Sequence, residues 1–245
     1  MDVLKYIMDK VQEEAIHFTL IDPEKQDPTK AGEMAEEAAL GGTAGIMLGG
    51  SVGVMQVDLD STILAIKEKT NLPTILFPGD VSGVSRHADA IFFMSLLNSR
   101  NPYFIMGAQV AGAPVVKRIG IEAIPMGYLV IEPGGMAGYV GDARLVPRDK
   151  PEAAVAYALA AQYLGMKLIY LEGGSGIKEP VPARMIGMVE SQVDIPVVVG
   201  GGIKTGEDAK RAADAGADII ITGTIVEDTK DVKKKIKEIT GAIKR

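Results

Sequence analysis

The stretch IPVVVGGGIKTGEDAKRAADAGADIIITG, from Ile195 to Gly223, contains a complete strand–helix–strand unit. Its first apolar run ends in three glycines, Thr205 and Asp208 have the spacing of a capping box, and Gly216 supplies a helix stop. Continuous apolar runs, in contrast to alternating ones, are typical of parallel strands that are covered on both faces. This part of the chain therefore predicts a parallel βαβ unit.

The same alternation extends over the rest of the 245-residue chain. Six more apolar runs precede this unit: IHFTLI from Ile16, AGIMLG from Ala44, PTILF from Pro73, AIFFMS from Ala90, IPMGYLVI from Ile124 and KLIYLE from Lys167. Between the first two runs, Asp27-Pro28 has the residue types that begin a helix, and Gly41 can end it. The sequence predicts one α/β domain, residues 1–245, folded as a single (β/α)8 TIM barrel. A doubly wound open sheet is the alternative, because a strand count does not show closure.

Composition excludes several classes of protein. The 26 Lys and Arg residues against 32 Asp and Glu give a net charge of −6, which argues against a nucleic-acid partner. The absence of cysteine excludes disulfides, thiolate metal sites and a cysteine nucleophile. No apolar stretch has the length of a membrane span, and the charged N-terminus is unlike a signal peptide. We therefore expect a cytoplasmic protein without a transmembrane segment.

Three glycine clusters follow the last three apolar runs. They are YLEGGSG from Tyr170 to Gly176, the glycines Gly200 to Gly202, and the segment Thr222 to Thr224. Glycines allow backbone N–H groups to approach an anion, and TIM barrels repeatedly bind phosphate at the loops after strands seven and eight. Together the clusters predict a phosphate site, although each alone is compatible with a tight βα turn.

Hard oxygen ligands follow the first two apolar runs. In a barrel, Asp22 and Ser51 lie at neighbouring strand ends, where a carboxylate and a hydroxyl can hold Mg²⁺. The alternative is that Asp22 stabilises its own loop and Ser51 caps a helix. The two histidines, His17 and His87, are expected to be structural. Lys25 is expected to face outward from its loop, and the alternative is that it adds positive charge to a diphosphate site.

The segments HFTLIDPEK, GGTAGIMLGGS, YLEGGSG, VVVGGGIK and ITGT, in this order, resemble the geranylgeranylglyceryl phosphate synthase family, which includes bacterial heptaprenylglyceryl phosphate synthases. The resemblance covers essentially the whole chain. It implies a Mg²⁺-dependent TIM-barrel prenyltransferase that joins the C3 hydroxyl of sn-glycerol 1-phosphate to a long prenyl diphosphate and releases diphosphate. Geranylgeranyl diphosphate is the expected donor, for the first ether bond of archaeal membrane lipids. A heptaprenyl donor is the alternative.

The resemblance also implies the site residues. It assigns Mg²⁺ to Asp22 and Ser51. It assigns sn-glycerol 1-phosphate to Tyr170, Leu171, Glu172, Gly173, Gly174, Ser175, Gly176, Gly201, Gly202, Gly223 and Thr224. The long segment from Glu132 to Lys150 resembles the larger subgroup of the family, whose members often form dimers or hexamers. A homo-oligomer is therefore expected, and transient contact with a membrane surface is left open.

Prenyl transfer to an alcohol needs a proton acceptor, and Glu172 is the predicted catalytic base because it ends a strand beside the phosphate loops. The alternative is that Glu172 only binds the glycerol hydroxyls. The prenyl chain needs an apolar trough, although core packing is the alternative role of each candidate residue. These candidates are Phe77, Pro78, Met94, Leu96, Leu97, Tyr103 and Phe104.

Two other classes of protein are alternatives, because they would have the same phosphate-binding loops. A phosphosugar isomerase or a relative of thiamine phosphate synthase would need an acid/base pair on opposing strands. The loop carboxylates Asp80, Glu132 and Asp142 have no evident partner in the sequence for that role. A non-catalytic phosphate-binding scaffold would release no diphosphate in the presence of Mg²⁺.

Overall fold

The computed structural model describes residues 2–50 and 56–244, apart from the side chains of residues 56 and 57. Within these residues, eight parallel strands form a closed barrel in sequence order. They are β1 (Ile16–Ile21), β2 (Gly45–Leu48), β3 (Thr74–Leu76), β4 (Ala90–Leu96), β5 (Glu122–Val130), β6 (Leu168–Glu172), β7 (Val197–Gly200) and β8 (Ile219–Thr222). The last strand pairs with the first, Ile219 opposite Ile16 and Thr222 opposite Thr19. This closure confirms the predicted barrel over the open sheet.

Helices connect the strands and surround the barrel. They are α1 (Val3–Val11), α2 (Pro28–Leu40), α3 (Gln56–Lys69), α4 (Ala108–Ile119), α5 (Gly135–Val140), α6 (Pro151–Tyr163), α7 (Ala183–Glu190), α8 (Gly206–Asp214), α9 (Thr224–Asp228) and α10 (Val232–Ile243). A π-helical turn, Tyr103–Gly107, leads into α4. In the described ranges, no helix is both long and apolar enough to cross a membrane.

The helix starts predicted from local sequence are present. Asp27 accepts a hydrogen bond from the Lys30 N–H at 3.1 Å, and Pro28 is the first residue of α2. At α8, the Thr205 hydroxyl accepts from the Asp208 N–H, and the Asp208 carboxylate accepts from the Thr205 N–H, each at 3.1 Å. These reciprocal bonds form the predicted capping box.

The core has two layers because successive side chains of a strand point to opposite faces. In β6, Leu168 and Tyr170 belong to the interior cluster, whereas Ile169 and Leu171 pack outward against the helices. Every strand contributes to the interior cluster: Phe18, Met47, Ile75, Phe92, Met126, Tyr170, Val198 and Ile219. Glu172, the last residue of β6, therefore points inward at the carboxyl end of the barrel.

The long segment after β5 contains the short helix α5, formed by residues Gly135–Val140. Leu145 packs onto this helix so closely that a Cβ at Gly138 would lie 2.9 Å from a Leu145 methyl. The Asn98 amide donates to the carbonyls of Val130 and Arg144, at 2.8 and 2.9 Å. Packing of Leu145 thus stabilises a helix that a glycine-rich stretch does not predict.

Candidate active site

A cavity of about 490 Å³ opens at the carboxyl ends of the strands. Its volume lies within the range of roughly 300–1,000 Å³ that is common for small-molecule sites. The cavity extends from the loops after β6, β7 and β8, across the barrel mouth, to an apolar region beside β3, β4 and α4. It has three chemically different parts.

The first part is lined by hydroxyls and glycine backbone. It contains Ser175, Gly176, Gly201, Gly202, Gly223 and Thr224, all predicted for the glycerol phosphate. The Ser175 and Thr224 hydroxyl oxygens lie 3.0 Å apart, so the loops after β6 and β8 meet. Gly201 and Gly202 have φ values of 82° and 76°, which glycine adopts without steric cost. Hydroxyls and accessible backbone N–H groups suit a phosphoryl group.

Three of the predicted contact residues have other surroundings. The Leu171 side chain packs in the outer layer, and Leu171 does not line the cavity. The Gly173 carbonyl accepts from the Gly134 N–H at 3.0 Å. A Cβ at Gly174 would lie 2.7 Å from the backbone of Gly134 and Gly135. Gly173 and Gly174 therefore allow close contact with the segment after β5.

Glu172 is a buried carboxylate that lines the cavity, and its Oε1 accepts from the Gly174 N–H at 2.5 Å. The rings of Tyr128 and Tyr170 meet edge to face at 5.1 Å between centroids, and Phe77 stacks on Tyr170 at 5.7 Å. Burial raises the pKa of Glu172, although the Gly174 N–H and the two tyrosine hydroxyls partly offset this. A carboxylate of raised pKa in a cleft is suited to accept a proton.

Tyr128 was not predicted, although the sequence contains a signal for it. The strand ends GYLVIEPGG and IYLEGGSG are similar, and the register places Tyr128 opposite Tyr170 and Val130 opposite Glu172. Burial, followed by the charge of Glu172, raises the pKa of both tyrosines well above its usual range. Both hydroxyls therefore keep their protons and remain hydrogen-bond donors at neutral pH.

The second part of the cavity contains Asp22, whose Oδ1 accepts from the Glu24 N–H at 3.1 Å. A Cβ at Gly50 would lie 2.8 Å from the same oxygen, so the loop after β2 closes onto this carboxylate. Ser51, the other predicted metal ligand, lies outside the described residues. Residues 2–50 and 56–244 contain no cluster of three or more metal-ligating side chains. One inward carboxylate still fits Mg²⁺, which usually keeps water and substrate oxygens as its other ligands.

Lys25 corrects an expectation, because it lines the cavity and does not simply face solvent. Its Nζ lies 2.9 Å from Glu227 Oε2 and 3.7 Å from Asp22 Oδ2. The reason is a tight turn in which the Lys25 N–H donates to the Asp22 carbonyl at 3.1 Å. The hydrogen bond that Lys25 donates to Glu227 raises the pKa of Lys25, and burial opposes this in part. Nothing in the local sequence identifies Glu227 as the partner.

The third part is apolar. Of the seven residues predicted for a trough, Phe77, Pro78, Met94, Leu96 and Phe104 line the cavity. The other two do not. Leu97 packs in the outer layer, and Tyr103 is 39% exposed, with its ring edge-on to Phe104. The small residues Ala108 and Gly112 of α4 leave room beside Val81 and Val116.

The remaining polar candidates have local roles. Asp80 lines the cavity but accepts from the Ser82 N–H and hydroxyl at 2.7 and 2.6 Å. Asp142 pairs with Arg100, and Glu132 accepts from the Arg148 N–H at 3.4 Å. These contacts stabilise loops and form no acid/base pair across the barrel.

His17 lies outside the cavity, buried in the outer layer. Its Nδ1 lies 3.0 Å from the Thr43 hydroxyl and its Nε2 lies 2.9 Å from the Thr222 hydroxyl. Thr43 donates its proton to a carbonyl and accepts from Thr19, so the Nδ1 of His17 is the donor and its Nε2 accepts from Thr222. Burial lowers the pKa of His17 to about 3. These contacts agree with a structural role.

The chain is similar to known proteins over nearly its whole length. A family model described as the PcrB family matches residues 8–243. The chain is 59% identical over 239 residues to the geranylgeranylglyceryl phosphate synthase of Methanothermobacter marburgensis, covering 98% of this chain and 97% of that protein. It is 55% identical over 245 residues to the corresponding protein of Thermococcus gammatolerans, covering 99% of this chain and 97% of the relative.

The chain is also similar to a solved structure of a protein of the same kind as these two relatives. It is the crystal structure of (S)-3-O-geranylgeranylglyceryl phosphate synthase from Thermoplasma acidophilum in complex with its substrate sn-glycerol-1-phosphate. The TM-score is 0.97 at 47% identity, over 100% of this chain and 99% of that chain. The fold and these relatives define a TIM-barrel enzyme of the prenyltransferase class. The chain belongs to the PcrB family, as the resemblance of its motifs indicated.

Proposed function

We propose that this enzyme joins the C3 hydroxyl of sn-glycerol 1-phosphate to C1 of geranylgeranyl diphosphate and releases diphosphate in a Mg²⁺-dependent reaction. The product carries the first ether bond of an archaeal membrane lipid. The observation that carries the proposal is the continuity of one cavity from a hydroxyl- and glycine-lined end, past Glu172 and Asp22, to an apolar end. The relative with bound sn-glycerol-1-phosphate supports the choice of the small substrate.

The phosphoryl group of the small substrate binds where the Ser175 and Thr224 hydroxyls meet above Gly201 and Gly202. Its glycerol hydroxyls then extend towards Glu172, which the Gly174 N–H holds in place. As the bond from the C3 oxygen to C1 forms, the hydroxyl proton passes to the Glu172 carboxylate. The bond from C1 to the diphosphate oxygen breaks, and the leaving diphosphate takes the electron pair.

Asp22, with Ser51 from the next strand end, would hold the metal ion. The chemistry that a bound Mg²⁺ supplies at this position is neutralisation of charge on the leaving diphosphate. Asp22 contributes one hard oxygen ligand and leaves space for the diphosphate, because the cavity continues past it. The prenyl chain extends into the apolar end, between β4 and α4.

The test is to incubate the protein with Mg²⁺, labelled sn-glycerol 1-phosphate or sn-glycerol 3-phosphate, and geranylgeranyl or heptaprenyl diphosphate. We expect label to enter the organic phase only with sn-glycerol 1-phosphate and Mg²⁺, and faster with geranylgeranyl diphosphate. Faster reaction with heptaprenyl diphosphate would replace the proposed donor. The absence of organic product with every pairing would refute prenyl transfer to glycerol phosphate.

A further inference from the structure

We infer that Lys25 binds the diphosphate of the prenyl donor, and that Glu227 holds the lysine ammonium at the cavity mouth until the donor arrives. The inference rests on the proposed function, because it concerns the donor half of that reaction. It adds two residues to the site, one after the first strand and one after the eighth.

The backbone at Lys25 is held firmly. Its N–H donates to the Asp22 carbonyl, and the Glu24 N–H donates to Asp22 Oδ1, each at 3.1 Å. The side chain is free to move in comparison, since it is 51% exposed and carries its charge on four flexible methylenes. Lys25 can therefore redirect its ammonium within the cavity mouth while Asp22 stays in position.

Glu227 is the fixed member of the pair. It lies on α9, directly after the β8 residues that line the phosphate end, and its N–H donates to the Gly223 carbonyl at 3.3 Å. Its side chain is only 11% exposed. A largely buried carboxylate is costly without a partner, and the Lys25 ammonium at 2.9 Å supplies one. Lys25 is thereby kept between the predicted metal carboxylate and the phosphate loops.

The acidic residues of the cavity lining favour a cation beside the bound diphosphate. Asp22, Asp80, Glu227 and Asp228 all line the cavity, and the donor brings a diphosphate that carries more negative charge than one Mg²⁺ offsets. The other lysine that lines the cavity, Lys204, follows β7 on the glycerol phosphate side. Lys25 is thus the lysine positioned at the metal side.

A metal ion bound at Asp22 would make it easier for the Lys25 ammonium to leave its carboxylate partners. In the protein alone, the ammonium has two carboxylate partners, at 2.9 and 3.7 Å. With a divalent cation held by Asp22, the Lys25 ammonium would lose one of these partners and would be repelled. A diphosphate oxygen then offers a stronger acceptor, because charge-assisted hydrogen bonds to phosphate are among the strongest in proteins.

The experiment measures binding of inorganic pyrophosphate in the presence of Mg²⁺ by calorimetry, together with KM for both substrates. We expect Lys25→Gln to weaken pyrophosphate binding and to raise KM for the donor by about tenfold or more, as loss of a charged hydrogen bond predicts. KM for sn-glycerol 1-phosphate should stay unchanged. Lys25→Arg should restore most of the affinity, and Glu227→Gln should bind pyrophosphate at least as tightly as the parent.

The matched control is Lys30→Gln, which removes the same charge from α2 outside the cavity, where Lys30 pairs with Glu33 at 3.5 Å. Pyrophosphate affinity in Lys25→Gln equal to that of this control would overturn the role of Lys25. A tenfold loss in Glu227→Gln would overturn the holding role of Glu227. If the parent binds pyrophosphate but forms no lipid, the proposed function fails while the Lys25 inference is still decided by binding.

Discussion

The hydroxyl oxygens of Ser175 and Thr224 lie 3.0 Å apart, although the two residues are 49 positions apart in the chain. The pair joins the loop after β6 to the helix after β8 and so encloses the phosphate end of the cavity. Because each hydroxyl can donate to an anion, the proposed phosphoryl group would replace this mutual hydrogen bond with bonds from both hydroxyls.

Ser175→Ala should therefore raise KM for sn-glycerol 1-phosphate by about tenfold, the cost of one hydrogen bond to a charged group, and leave KM for the donor unchanged. Steady-state kinetics with each substrate varied in turn measure this. Ser191→Ala is the control, since Ser191 only donates to the Met188 carbonyl at the end of α7. Equal KM values for Ser175→Ala and the control would contradict a phosphate contact.

Glu172→Gln should lower kcat by about a hundredfold or more, because an amide cannot accept the hydroxyl proton. The raised pKa of Glu172 also predicts that activity falls on the acidic side, at a pH above the usual range of a glutamate. The pH–rate profile of the parent should show this limb, and that of the variant should lack it. Glu68→Gln, on an exposed position of α3, is the control. Parent-like turnover in Glu172→Gln would remove Glu172 as the base.

Gly112→Phe should close the apolar end of the cavity. The nearest atom to a Cβ at this position is a Val81 methyl at 4.0 Å, so a larger side chain extends into open space. We expect a strong rise in KM for geranylgeranyl diphosphate and a smaller rise for a shorter prenyl donor. The control is Val110→Phe, which adds the same ring on the exposed face of α4. An unchanged donor preference in Gly112→Phe would show that the chain binds elsewhere.

His17 should make the protein less stable in acid. Its folded-state pKa of about 3 lies below the usual value of 6.5, so its contribution is complete above pH 6.5 and is lost as pH falls towards 3. The loss amounts to up to about 5 kcal/mol in the free energy of unfolding. Urea unfolding of the parent protein between pH 7 and pH 3 measures this loss. Thr43 and Thr222, the hydrogen-bond partners of His17, are left unchanged in every variant.

The comparison variants for this prediction are His17→Gln and His87→Gln. The first should be less stable at pH 7 but should lose less stability on acidification. The second should keep the slope of the parent, because His87 is only partly buried and lies in a loop. A parental slope in His17→Gln would assign the acid sensitivity to other groups.

Local sequence determined most of the strand and helix positions of this protein, with the exception of α5. Each strand is a continuous apolar run because both of its faces are buried, and Asp27 and Thr205 cap helices through bonds to residues three positions away. The sequence also predicted that the glycine clusters after β6, β7 and β8 lie at the barrel mouth. Parallel strands bring their carboxyl ends to one face, whatever their separation in sequence.

Only the tertiary structure decided which residues meet across that face. Lys25 and Glu227 are paired by closure of β8 onto β1, and Tyr128 reaches Glu172 through the register of β5 with β6. Tertiary structure also decided which glycines line the cavity. Gly174 is not among them, because it packs against Gly134. The physical reason is that a residue's own neighbours set its backbone conformation, whereas its side-chain contacts depend on packing between distant parts of the chain.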